Sequence, residues 1–173
     1  REGFQTINLN HSDGVSNISL AEVGGRTYQT GTSGDYTFSV TRNTSEVEVV
    51  WRFPSLSNQT RKFQLSYTLK GVVRQYDAGD KLQFMAIPDA LEYPVYASTI
   101  KIYLPAPLVV DPDFAGPAAK WQISPDSKML TIDLQGSVYP QQGFQFGIIF
   151  KHGAISAPKP AWQTAFDVED EYT

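Results

Sequence analysis

Apolar and polar residues alternate with a period of two along most of this chain, the spacing that sends successive side chains to opposite faces of a strand. Tyr36, Phe38 and Val40 alternate with Asp35, Thr37, Ser39 and Thr41; Val47, Val49, Trp51 and Phe53 alternate with Glu46, Glu48 and Arg52. The longest run sets Phe63, Leu65, Tyr67 and Leu69 against Lys62, Gln64, Ser66, Thr68 and Lys70, which predicts a strand with one wet face. Ile100, Ile102 and Leu104, then Leu130, Ile132 and Leu134, then Phe144, Phe146, Ile148 and Phe150 repeat the pattern. Weaker runs cover residues 4–10, 15–23, 81–86 and 118–123.

Between these runs lie residues with turn chemistry: Asp13-Gly14, Gly24-Gly25, 31–34, 54–58, 77–80, 105–117, Pro125-Asp126 and 140–143. No stretch sustains a helical period. About ten short strands at turn-punctuated spacing predict an all-β fold, specifically an antiparallel β-sandwich of immunoglobulin-like type. Two amphipathic sheets bury their apolar faces only against each other or by closing up. We expect one sandwich domain over residues 1–166 and an acidic linker or tail over 167–173, where Asp167, Glu169, Asp170 and Glu171 crowd together. The segment 104–119, with Pro105, Pro107, Pro112 and Pro117, is too rich in proline to read as a strand and is expected to be a long crossover or a hinge.

Composition narrows the function. The 173 residues are 41% hydrophobic and 13% aromatic, enough for a real core, whereas charged residues are only 18%. Ser, Thr, Gln and Asn take up the difference and suit the outward faces of sheets. A net charge of −4 without a run of Lys or Arg provides no footprint for a phosphate backbone, so nucleic acid is not an expected partner. The chain has no Cys, which removes thiolate catalysis, thiolate-bound metal and disulfides. In an extracellular domain that lack leans toward a bacterial source. No window of 18 apolar residues occurs, and the opening Arg1-Glu2-Gly3 is neither a signal peptide nor a start at Met, which reads as an excised or processed piece.

Candidate chemistry is sparse. His11 and His152 each fall in or beside a turn, so a metal site would need the fold to unite them with carboxylates; the simpler reading is two solvated loop imidazoles. Gly31-Thr32-Ser33-Gly34 resembles a nucleophile elbow only superficially and reads as a hairpin loop. Asp77, Asp80, Glu92, Asp111 and Asp113 supply carboxylates, but nothing marks one as buried, and they match no spaced calcium loop. No catalytic residue, metal or cofactor is therefore expected. Asn10, Asn17, Asn43 and Asn58 each begin an Asn-x-Ser/Thr triplet, which carries meaning only for a secreted eukaryotic chain. Tyr93, Tyr96, Trp121, Tyr139 and Trp162 fall outside the clearest core positions or beside loops. They are the candidate ligand contacts, since exposed rings stack on sugars or anchor a partner; the competing reading is that they plug the ends of the sandwich.

One resemblance goes beyond composition. The runs VEVVWRFP (47–54), TRKFQLSYTLKGVVRQY (60–76) and STIKIYLP (98–105) resemble the N-terminal domain of a bacterial predicted membrane protein family, domain of unknown function 2207. Trp51, Phe53, Pro54, Thr60, Arg61, Phe63, Leu65, Tyr67, Gly71, Val72, Val73, Leu104 and Pro105 match its pattern, while Phe84 stands where the family usually has Trp. The resemblance implies a signal sequence, a β domain outside the membrane and later transmembrane helices, with no mechanism and no catalytic residue to transfer. The expectation is thus a non-enzymatic domain at the extracytoplasmic face of a bacterial membrane, serving envelope interaction, sensing or assembly, with an envelope protein or glycan as partner. The alternative is a module that binds carbohydrate or wall polymer through exposed aromatics.

Overall fold

A computed structural model describes residues 1–55 and 57–170. The described residues form thirteen strands and one short helix, and their contacts gather into two compact units. One unit comprises Arg1–Gly71 with the stretch from Ala161 onward; the other is Val72–Pro160. The fold is all-β.

The first unit holds β1 (Glu2–Asn8), β2 (Gly14–Glu22), β3 (Gln29–Thr30), β4 (Thr37–Arg42), β5 (Glu46–Arg52) and β6 (Phe63–Lys70). Its open sheets run β1-β5-β4-β3 and β2-β6. Ile7, Phe38, Val47 and Val49 from the first sheet and Leu20 from the second are buried in one cluster, with Leu65, Tyr67 and Leu69 packed against it. Along β6 the apolar residues are half-buried and the intervening polar ones exposed, as alternation requires. The β2–β6 pairing slips between Ser16 and Ser19, where Asn17 takes a left-handed φ of 53°, the geometry of a bulge. β3 and β4 pair in parallel, so residues 31–34 are not a hairpin turn. Tyr36 at φ 62° lets so short a connection reverse the chain twice.

The second unit holds β7 (Val73–Arg74), β8 (Asp80–Ile87), β9 (Thr99–Tyr103), β10 (Asp113–Ala115), β11 (Ala119–Ile123), β12 (Met129–Leu134) and β13 (Phe144–Phe150). Its sheets run β10-β13-β8-β7 and β11-β12-β9. Phe144, Phe146, Ile148 and Phe150 from one and Leu130, Ile132 and Leu134 from the other share a single core. Each fully buried side chain of this size contributes about 1.5–3 kcal/mol of hydrophobic stabilisation.

All ten patterned runs are strands. The three additional ones, β3, β7 and β10, are two or three residues long and too short to display a period. The proline-rich segment is a crossover, as expected, but it is not strand-free: it leaves β9 in one sheet, adds β10 beside β13 in the other, and returns to β11. The acidic stretch also differs from expectation, because Asp167 to Asp170 are the end of helix α1 (Gln163–Asp170). Residues 171–173 of that expected tail lie outside the described residues.

Candidate functional site

Of the five candidate aromatics, three lie on two connections of the second unit that the structure pairs with each other. Val95 and Val138 form an isolated antiparallel bridge, each N–H donating to the other's carbonyl at 2.8 and 2.9 Å, and the Gln141 N–H donates to Leu91 O at 3.3 Å. The connections 91–96 and 138–142 therefore run side by side. Val138 is buried and Val95 packs on the core, so the neighbouring Tyr96 and Tyr139 point the other way, outward. They are 77% and 61% exposed, and in a regular ladder such diagonal neighbours lie about 7–8 Å apart. Tyr93 is 45% exposed, and burial of part of its ring raises its phenol pKa. Tyr139 begins a tight turn: Gln142 N–H donates to Tyr139 O at 3.0 Å, Tyr139 N–H donates to Gln142 Oε1 at 3.2 Å, and Gln141 sits at φ 65° after Pro140. Proline followed by a residue of positive φ is the form of a type II turn.

The two tryptophans belong elsewhere. Trp121 pairs with Ile132 on the core-facing side of β11, an edge strand, and sits at the rim of the core, 38% exposed. Trp162, in the first unit, is half-buried: its Nε1 donates to Gly71 O at 2.8 Å and its ring lies 4.7 Å from His11 and 5.9 Å from Phe166.

The histidines correct the expectation of two solvated imidazoles. His11 is exposed on its loop but also packs against Phe166 at 4.9 Å. His152 is paired: its Nδ1 lies 2.7 Å from Asp80 Oδ1, and Asp80 is wholly buried, which no local pattern had marked. Among the described residues no three His, Asp or Glu side chains gather as a metal site would need.

A third feature emerges from the residues that carry the family resemblance. Phe53, Pro54, Arg61 and Phe63, with Arg1 and Gln59, line a shallow cleft of about 240 Å³ in the first unit. Arg61 lies over the Phe53 ring at 5.5 Å and is ion-paired with Glu22, which also accepts from Tyr28 Oη at 2.9 Å. Burial, and then this hydrogen bond to a carboxylate, push the Tyr28 pKa up to about 12. Phe63 is the hub of the rings, 5.2 Å from Phe53, 5.6 Å from Trp51 and 6.1 Å from Tyr28. Trp51 in turn lies flat on Gly3, its cross-strand partner, where a β-carbon would overlap the indole. The matched residues Trp51, Phe53, Phe63, Leu65, Tyr67, Val73 and Leu104 thus act as core, and the Arg61 charge is consumed internally by Glu22.

Comparison with curated proteins and with solved structures yields no match. A family model described as the N-terminal domain of a predicted membrane protein (DUF2207) matches residues 3–156, which take in both units' sheets from β1 to β13. The chain belongs to this DUF2207 N-terminal domain family.

Proposed function

We propose that this chain is a non-enzymatic domain on the extracytoplasmic face of a bacterial membrane, held there by segments outside this chain, and that it serves envelope interaction, sensing or assembly. The observation that carries the reading is membership of a family described as the N-terminal domain of predicted membrane proteins. No helix among the described residues is long and apolar enough to cross a membrane. In each unit two open sheets contribute to one core, which supports reading each as a small β-sandwich. The structural chemistry is that of scaffolding. The Arg61–Glu22–Tyr28 network and the Asp80–His152 pair both tie strands to loops within their own units.

The location is tested in cells. Because the chain has no Cys, a single Ser33→Cys substitution in an exposed loop of the full-length protein is a clean label site within it. We expect a membrane-impermeant maleimide to label this cysteine in intact bacteria as fully as in lysed ones. Labelling only after lysis would place the domain inside and overturn the reading.

A further inference from the structure

We propose that the end of the second unit bearing Tyr93, Tyr96 and Tyr139 binds a neutral glycan chain. The inference deepens the extracytoplasmic reading, on which it rests for access to wall or capsule polymer, by naming a surface and a ligand class.

Three observations converge. The first is display: Tyr96 and Tyr139 are among the most exposed large side chains of the unit, and the ladder geometry turns both to the outward side of the Val95–Val138 bridge. The aliphatic residues of the same connections go inward, Leu91 and Val138 buried and Val95 packed on the core. Apart from the small apolar residues Ala90, Ala97 and Pro140, what faces solvent is rings, amides and carboxylates, with no exposed Leu, Ile, Val, Phe or Met among residues 88–98 and 135–143. A pyranose presents the matching pair of surfaces, C–H groups that lie on an aromatic face and a rim of hydroxyls that hydrogen-bond to Gln, Asp or Glu. An ordinary protein interface would centre on apolar anchors in addition to the rings.

The second is charge. Residues 88–98 and 135–143 contain Asp89 and Glu92 and no Lys, Arg or His. Such a surface repels phosphate- or uronate-bearing polymers and anionic lipid, so among glycan chains a neutral one fits it better than an anionic one.

The third is rigidity. The two connections are clamped by the mutual Val95–Val138 hydrogen bonds and by Gln141 N–H to Leu91 O. The Tyr139 turn is closed twice over by Gln142. It also holds Gln141 at φ 65°, a conformation that a non-glycine residue keeps only when its surroundings enforce it. Tyrosine has few rotatable bonds, so rings carried on a clamped backbone lose little entropy on binding, which suits weak, repeated contacts with a polymer.

The test uses the 173-residue chain and isothermal titration with neutral hexasaccharides of β-1,4-glucose, β-1,3-glucose and β-1,4-N-acetylglucosamine, with polyglutamate and dextran sulfate as anionic probes. We expect saturable binding of at least one neutral hexasaccharide. Tyr96→Ala and Tyr139→Ala should each weaken it roughly tenfold, the loss that about 1.4 kcal/mol of ring contact produces. Tyr96→Phe, which keeps the ring face, should retain affinity within about threefold. Circular dichroism of each variant separates lost contact from lost fold. Binding of no neutral probe, preferential binding of an anionic one, or binding indifferent to both alanine substitutions would overturn the proposal. Because no cell or membrane enters the titration, its failure leaves the location untouched, and a failed labelling experiment leaves the glycan result standing.

Discussion

The Nδ1 of His152 sits 2.7 Å from Oδ1 of Asp80, joining a wholly buried carboxylate at the start of β8 to an imidazole that is 43% exposed beyond the end of β13. The other oxygen of Asp80 has no hydrogen-bond partner among the described residues. His152 is therefore the contact that makes the burial of Asp80 tolerable, since a buried polar atom without a partner costs about 1–3 kcal/mol. We expect His152→Ala to destabilise the chain by about 1–3 kcal/mol in urea melts. Asp80→Asn should cost less in the His152→Ala background than alone, because the two share one interaction. Equal costs in both backgrounds would show that the pair contributes nothing.

Alkaline pH should weaken the first unit through Tyr28. Its ordinary pKa of 10.0 rises to about 12, first through burial and then through the bond to Glu22. Between those values the unfolded chain has released the phenolic proton and the folded chain still holds it. Stability is then fully present below pH 10 and falls as pH climbs toward 12. Tyr67, raised by burial, pulls in the same direction. We expect the urea midpoint to drop between pH 9 and pH 11.5, and Tyr28→Phe to make that drop measurably shallower without removing it. An unchanged slope in the variant would contradict the assignment.

How much of this was legible in the sequence depends on how far apart the partners lie. Phe63, Leu65, Tyr67 and Leu69 reveal their strand because each is two positions from the next, and the half-buried, exposed alternation of β6 follows directly. Asp80 and His152 are 72 positions apart, and nothing local distinguishes a carboxylate that begins a central strand from one in an ordinary turn. Helix α1 carried a signal that composition masked: Trp162 and Phe166, four residues apart, both pack against His11. The grouping of Tyr93, Tyr96 and Tyr139 follows from the pairing of Val95 with Val138, which periodicity alone does not specify. Three of the five candidate rings were thereby gathered and the two tryptophans were not.

Gly71 illustrates a matched residue whose role is steric. It takes φ 61°, and a β-carbon there would run into the carboxylate of Asp13. That carboxylate accepts from Ala161 N–H at 3.2 Å, and Gly71 O accepts from Trp162 Nε1 at 2.8 Å, so the position joins the end of β6 to the approach to α1. Gly71→Ala combines a strained φ with overlap, and we expect a loss of about 1–3 kcal/mol in a urea melt. Gly34, also at positive φ but with open space around its α-carbon, should accept alanine at only the backbone cost, about 1 kcal/mol.

The turn at Gln141 provides the opposite sign. A side chain at φ 65° costs about 1–2 kcal/mol relative to a residue free of a β-carbon, and glycine gives back part of that gain as extra freedom of the unfolded chain. Gln141→Gly should therefore be neutral to stabilising by about 0.5 kcal/mol in a urea melt, whereas Gln141→Val, β-branched, should destabilise by more than about 1 kcal/mol. If the turn is strained in order to fix the backbone of Tyr139, the glycine variant should gain stability while binding a neutral hexasaccharide less tightly, because the backbone that carries the ring is less constrained. Loss of stability in the glycine variant would show that the left-handed residue is not a source of strain, and that rigidity at Tyr139 comes from the Gln142 contacts instead.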